Sequence, residues 1–330
     1  MNPATGHHYW ADLGGDHFME SAVSRDEAGG AARSARRTRK RRESFSAALF
    51  LGPNLIGFLF FTLFPLVASL VLSFTDWSLL TSPHWVGLHN YQRLFTTDPE
   101  FWQVLQNTLL IVVGYVPLNI VVSVLLAVWL SSMVRMRNLA RILFFVPVMT
   151  PAVGVALIFV LLYYPRTGII DWAWFSIFHS QGPDWTNSET WALPAIIIVT
   201  MWQNVGYNLL VFSAGLQAIP DQYYEAAALD GANRFRRFIH VTLPMLSPSI
   251  FFGTVLTIIT SLQLFDQPFI LTEGGPGISS TTMVLYLYQE GWQFNQMGYA
   301  SSIAWVLFLI IMVVTAGQFL LQRKWVHYES

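Results

Sequence analysis

Two groups of residues have types and spacing suited to chemistry. Asn204, Tyr207 and Asn208 lie at i, i+3 and i+4, so on a helix they share one face. Thr257, Thr260, Ser261 and Leu264 do the same 50 or so residues later. Gln203, Gln263 and Asp266 stand close by in the chain. Amides and hydroxyls donate and accept hydrogen bonds without net charge, and a phenol ring can stack. Such a set suits a polyhydroxylated neutral ligand. The same groups also serve as hydrogen-bonding contacts between membrane helices, so the residues leave both roles open. Asp266, the one acid near these runs, is expected at the outer end of its helix.

Other chemistries find little support. Cysteine is absent, which excludes thiol chemistry, disulfides and Cys-based metal sites. The eight histidines are scattered with no His-Glu-x-x-His pattern, so no metal site is expected. No nucleophile–base pair stands out, so a membrane-embedded enzyme is disfavoured and no catalytic residue is assigned. There is no Gly-x-x-x-x-Gly-Lys-Ser/Thr loop and no Gly-Lys pair at all, so the chain does not bind ATP in that way.

The elements that hold the two polar groups are strongly apolar. Hydrophobic residues make up 54% of the 330 residues and charged ones 11%, against about 25% charge in ordinary soluble domains. Long uncharged or nearly uncharged runs cover residues 44–75, 101–134, 142–165, 190–220, 241–265 and 291–322. Each exceeds the roughly 20 apolar residues that cross a bilayer core. None alternates with the period of two that a membrane β-strand needs. The fold class expected is therefore all-α and polytopic, with six transmembrane helices. Pro117, Pro147, Pro151 and Pro194 interrupt these runs, which neighbouring helices in a bundle tolerate.

Sixteen of the 18 basic residues fall before the first run, in the second and fourth connections, or after the last run. The other three connections hold only Arg93 and Arg166. Lys and Arg mark the cytoplasmic side, so both termini are expected there. Residues 1–43 read as a disordered tail with a basic cluster at 36–42. Beside a membrane helix that cluster reads as a topology anchor that touches anionic lipid, and not as a nucleic-acid site. Residues 44–328 form the membrane domain. Within the second outer loop the aromatic stretch 171–178 reads as an interfacial helix.

The connection at 219–244 is longer than a turn and too regular for a linker. Pro220 and Asp221 can start a helix, and Glu225, Ala226, Ala227, Ala228 and Leu229 favour one. Gly231 can stop it by taking a positive φ. Asn233 can cap a second helix that places Phe235, Phe238 and Ile239 on one face, and Pro244 is expected to end it. The alanine-rich surface lets another protein approach closely, with Glu225, Asp230, Arg234, Arg236 and Arg237 available for ion pairs. Packing on the chain's own bundle is the other use of such a segment.

This connection resembles the EAA loop of binding-protein-dependent ATP-binding-cassette (ABC) importers. Glu225, Ala226, Ala227 and Gly231 fit the motif, Leu243 and Pro244 fit its end, and Val241 replaces an Ile. The run from Glu225 to Ala232 is similar to the carbohydrate-uptake branch. So are Ala214 to Pro220, Leu271 to Pro276 and Gly298 to Ser302. The resemblance covers about residues 45–328 and implies a type I ABC importer permease fold. It implies that the loop docks as a coupling helix on a cytoplasmic ATPase, through Glu225, Ala226, Ala227, Asp230, Gly231 and Arg234. It implies no cofactor on this chain, since ATP and Mg would sit on the ATPase. The implied partners are a second homologous permease, two ABC ATPase subunits and an extracytoplasmic sugar-binding protein, with membrane lipid around the helices and no nucleic acid. The resemblance also favours Asn204, Tyr207, Asn208, Thr257, Thr260 and Ser261 as the substrate pathway. A glycerol phosphate importer would use the same machine, and an ion-coupled secondary transporter is the rival of another class. The spans hold no Lys or Arg, which favours a neutral cargo over a phosphate ester.

Overall fold

A computed structural model describes residues 50–132, 137–323 and 326. The 1–43 tail, and with it the basic cluster, lies outside the described residues. The chain divides after Ala68 into two units. The described part of the first is most of helix α1 (Phe50–Leu72), 23 residues long, uncharged and strongly apolar.

The second unit holds the remaining elements. A two-residue ladder pairs β1 (Thr75–Asp76) with β2 (His84–Trp85) in antiparallel register. The short α2 (His89–Gln92) leads into a wide π turn at Arg93–Thr97. Helix α3 (Pro99–Ser131) follows. Asp98 caps it, accepting hydrogen bonds from the Glu100 and Phe101 amides at 2.9 and 3.3 Å, and Pro99 occupies the first turn, where no amide is needed.

The third apolar run is not one continuous helix. Helices α4 (Arg137–Met149) and α5 (Ala152–Leu162) meet at 95°. Pro151 explains the break, because it lacks an N–H and biases Thr150 away from the helical region. The next helix, α6 (Ile169–Phe178), is the aromatic segment expected at the interface. It buries Asp171, which accepts from the Arg166 amide at 2.7 Å, and exposes Trp172, Phe175 and Ile177.

Helix α7 (Ala192–Ala218) is the axis of the unit, and α3 packs along it. Bilayer helices gain little from apolar burial against each other and rely on close packing and hydrogen bonds. Gly206 shows the closeness: a Cβ there would lie 2.1 Å from the Phe144 carbonyl oxygen of α4.

Helix α8 (Asp221–Leu229) ends at Gly231, which adopts φ +74°. Asn233 then caps α9 (Arg234–Leu262), its side chain accepting from the Arg236 amide at 2.9 Å. These three features match the sequence reading. Pro244 does not. Instead of ending a short helix, it sits inside one continuous α9. The π turn at Phe238–Thr242 is the reason. A proline presses on the carbonyl four residues back, here His240, and that carbonyl lies in the widened turn. Phe238 packs with the cluster around Leu209, Phe212 and Leu246, while Phe235 stays exposed.

Two short helices, α10 (Asp266–Leu271) and α11 (Met283–Tyr288), precede α12 (Met297–Gln322). The last span therefore begins six residues later than its apolar run, because 289–293 form another π turn. Among the described residues, five unbroken helices are long and apolar enough to cross a membrane, and the bent α4–α5 pair counts as a sixth if it is one span.

Side chains fasten α11 and α12 to the start of α3. The Tyr286 hydroxyl donates to Asp98 Oδ2 at 2.5 Å, and Tyr299 donates to the same oxygen. Burial pushes the Asp98 carboxyl up, but these phenols and the two cap amides outweigh it and leave it below the usual carboxylate range. Beside them Arg93 reaches Gln296 Oε1 at 2.5 Å, stacks 4.0 Å over the Tyr299 ring and lies 4.0 Å from Glu290 Oε2.

Candidate functional site: a polar cleft and a projecting helix pair

A cleft of about 550 Å³ opens between α7, α9 and α10. Asn204, Tyr207 and Asn208 line it from α7, and Thr257, Thr260 and Ser261 from α9. The structure thus brings all six sequence-predicted pathway residues to one wall. The helical spacing sets each triplet on one face, and Gly253 lets α9 approach α7 closely. A Cβ there would lie 2.8 Å from Asn208 Oδ1 and 2.9 Å from the Phe212 ring.

The polar groups are not equivalent. Thr257 donates to the Gly253 carbonyl at 2.7 Å, Thr260 to Leu256 at 3.0 Å and Ser261 to Ile258 at 2.9 Å. Each hydroxyl spends its hydrogen on its own helix; Thr260 and Ser261 keep their lone pairs for a donor in the cleft, and Thr257 keeps one beside the bond it accepts from Asn208. Asn204 gives one N–H to the Thr200 carbonyl at 2.9 Å, which fixes its rotamer. Tyr207 is 41% exposed and presents its ring to the space. Asn208 is buried, and its amide nitrogen already serves Asn119 Oδ1 at 2.6 Å and Thr257 Oγ1 at 2.8 Å.

Asp266 does lie just past the end of α9, as expected, yet it also lines the cleft. Among the described residues it is the one charged group on the wall; Lys, Arg and His contribute nothing there. The sequence reading missed Tyr115, Thr200 and Gln267. Thr200 could have been found, being one helical turn before Asn204. Tyr115 and Gln267 could not, because only the crossing of α3 and the turn at α10 bring them in. Gln267 donates to Gln203 Oε1 at 2.7 Å, and Gln203 donates to the Thr150 carbonyl at 3.3 Å. That chain joins α10, α7 and the α4–α5 break over one end of the cleft.

The second set lies on α8 and the start of α9. Glu225, Ala226, Asp230, Gly231 and Arg234 are exposed and Ala227 is half-buried. A groove there is lined by Tyr223, Ala226, Ala227, Asp230, Arg236 and Arg237, with Ala232, His240 and Val241. Ala226, Ala227 and Asp230 meet in it, while Glu225, Gly231 and Arg234 stand outside. The pair is braced by Ala232 N–H to the Ala227 carbonyl at 2.9 Å and Arg237 Nε to the Ala232 carbonyl at 3.0 Å. Leu229 is 89% exposed at the end of α8, and Phe235 is also exposed. Neither was singled out as a contact residue from the sequence. The pair therefore presents an exposed apolar tip flanked by charged side chains.

A helical bundle with a bent helix pair, a polar cleft free of cationic side chains among the described residues and a projecting helix pair is the build of a multi-pass membrane transport subunit. Comparison with known proteins gives the family. Residues 119–327 match the family described as binding-protein-dependent transport system inner membrane component. The chain is 39% identical over 293 residues to a Bacillus subtilis protein named "Probable ABC transporter permease protein YesP", covering 88% of this chain and 94% of that one. It is 34% identical over 270 residues to the arabinooligosaccharides transport system permease protein AraP of Bacillus subtilis, covering 81% and 85%. It is 34% identical over 299 residues to the lactose transport system permease protein LacF of Rhizobium radiobacter, covering 89% and 99%. Among solved structures, a chain of a bacterial alginate ABC transporter, crystallised with an alginate-bound periplasmic protein, superposes with a TM-score of 0.76 at 21% identity over 86% of this chain and 96% of that one. That likeness carries the fold. The chain belongs to the inner-membrane components of binding-protein-dependent transport systems and is a permease subunit of an ABC importer.

Proposed function

We propose that this permease forms one wall of the path for a neutral sugar or oligosaccharide, and that the force to open and close it enters through α8. The observation that carries the reading is the cleft: amide, hydroxyl and phenol groups converge on it, and no cationic side chain does. Hydroxyl lone pairs on Thr257, Thr260 and Ser261 suit the O–H donors of a sugar, and the Tyr207 ring suits a sugar face. The names of the arabinooligosaccharide and lactose relatives support the same class. A glycerol phosphate cargo would favour a cationic or helix-terminal site.

In this reading the permease pairs with a second homologous permease, which closes the cleft from the other side. A sugar-binding protein delivers cargo at the outer loops. Two ATPase subunits hold ATP and Mg on the cytoplasmic face; this chain binds neither. Glu225, Ala226, Ala227, Asp230, Gly231 and Arg234 form the docking element, with Leu229 and Phe235 as apolar anchors. The distribution of basic residues supports a cytoplasmic side for both termini and α8.

The test is a ligand screen on the cognate binding protein, followed by ATPase activity of the reconstituted complex. A neutral sugar that binds and stimulates hydrolysis is the expected result. Binding of a phosphate ester alone would overturn the cargo assignment. Hydrolysis that persists at the same coupled rate with Leu229→Asp and Phe235→Asp would overturn the docking assignment.

A further inference from the structure

Asn119 lies in α3, outside every residue set considered so far. It is fully buried in the middle of a helix long enough to cross a membrane. A buried amide there is costly in lipid and calls for an explanation. Its Oδ1 accepts from Asn208 Nδ2 at 2.6 Å, and Asn208 Nδ2 also reaches Thr257 Oγ1 at 2.8 Å. One polar chain therefore links α3, α7 and α9, and two of its three members line the cleft. Ser123, one turn along α3, hydrogen-bonds to the Val205 carbonyl at 3.1 Å and reaches Asn119 Oδ1 at 3.4 Å.

The chain is not fully satisfied. Asn119 Nδ2 and Asn208 Oδ1 have no hydrogen-bond partner among the described residues. Exchanging oxygen and nitrogen on both amides reverses the donor but keeps the pair. In either orientation Asn119 fixes one amide group of Asn208 and leaves the other free. A contact whose only use was to join helices could be replaced by apolar groups of like shape at little cost. What Asn119 adds is a set rotation of the Asn208 amide, and through it a set position of the Thr257 hydroxyl.

We propose that Asn119 is a positioning residue of the transport pathway: without touching cargo, it holds Asn208 and Thr257 in the orientation in which they meet it. The inference rests on the cleft being the sugar path. The readout is sugar moved per ATP hydrolysed, a ratio that does not depend on how much protein folds. The complete importer is reconstituted in proteoliposomes with labelled arabinotriose, lactose and maltose as probes. Asn119→Leu is expected to lower uptake per ATP about tenfold, the order of one hydrogen bond, while stimulated ATPase activity stays within about twofold of the wild type. Ser123→Ala, which leaves the Asn119–Asn208 bond in place, is expected to keep the wild-type ratio. Where Asn119→Leu fails to insert, Asn119→Ala, which adds no bulk, takes its place with the same expectation. An unchanged ratio beside a working wild type overturns the role of Asn119. So does a parallel fall of uptake and hydrolysis, which marks a structural role. A wild-type complex that moves none of the three sugars overturns the sugar reading itself, and this proposal with it.

Discussion

Asp98→Ala is the perturbation whose cost can be worked through most fully. The Asp98 side chain does two jobs. One oxygen caps α3 by accepting from the Glu100 and Phe101 amides, and losing such a cap costs about 1 kcal/mol. The other accepts the hydroxyls of Tyr286 and Tyr299, both rings being buried. Leaving a buried hydroxyl unpaired costs about 1–3 kcal/mol, and the lower end applies here because the half-exposed Asp98 site lets water replace part of the contact. The three terms sum to about 3 kcal/mol. Denaturant unfolding of the detergent-solubilised chain, followed by Trp fluorescence, measures it. Adding Tyr286→Phe and Tyr299→Phe removes the stranded hydroxyls, so the triple variant should recover about 2 of the 3 kcal/mol and keep only the cap loss.

The pH dependence has a definite sign. The folded carboxyl of Asp98 sits below its unfolded value: burial raises it, and the phenols and cap amides more than reverse that. A depressed carboxylate contributes fully above the unfolded pKa of about 3.9 and is lost as pH falls through the folded value. The gap between wild type and Asp98→Ala should therefore be flat from neutral pH down to about pH 5 and close only below about pH 4. A loss under 1 kcal/mol, or a triple variant no more stable than the single, would refute the shared-acceptor account.

Three further outcomes follow from single positions. Glu290→Gln should stabilise the chain increasingly as pH rises. Burial raises the Glu290 carboxyl, Arg93 opposes this, and Asp98 and Glu100 add to it; a raised carboxyl favours the folded state at low pH, and that contribution is lost as pH rises through the folded value, as unfolding at pH 5 and pH 8 will show. Gly206→Ala sets a methyl against the backbone of Phe144, and since backbone cannot rotate away it should cost about 1–3 kcal/mol, read as a fall in melting temperature of the purified chain. Gly231→Pro should insert normally yet abolish transport and coupled ATPase activity, because proline cannot adopt the φ of +74° that turns α8 into α9; normal uptake would remove α8 from the coupling role.

Legibility in the sequence tracked locality. Both polar triplets of the cleft were visible because each is a helical face read from spacing alone, and the cap at Asn233 and the turn at Gly231 are decided by their own residues. Pro244 was misread for the same reason in reverse. Its effect depends on whether the preceding turn is α or π, and no residue in 238–242 announces that by type. The break of the third span was half legible: Pro147 and Pro151 were noted, but the 95° bend depends on where the freed Thr150 carbonyl goes, and it goes to Gln203 on another helix. Asn119 was wholly hidden, because an isolated amide in an apolar run gains meaning only when α7 crosses it.

The misread proline bears on mechanism. Had α9 stopped at Pro244, the docking element and the cleft would belong to separate helices joined by a hinge. Arg234, the last of the proposed docking residues, instead begins the helix that carries the cleft hydroxyls, Arg234–Leu262, about 43 Å long at 1.5 Å per residue. Arg234 stands at one end of it and Thr257, Thr260 and Ser261 near the other. In the proposed coupling, a push on α8 crosses only the braced turn at Gly231 and then runs along one helix to the cleft, less whatever the π turn at Phe238–Thr242 absorbs. At the cleft the helix is tied to α7 and α3 through Thr257, Asn208 and Asn119. A rod driven at one end and tied by hydrogen bonds near the other can tilt the cleft wall only by breaking those bonds or carrying α7 with it. In the proposed coupling, the polar chain sets which helices move together when α9 is driven.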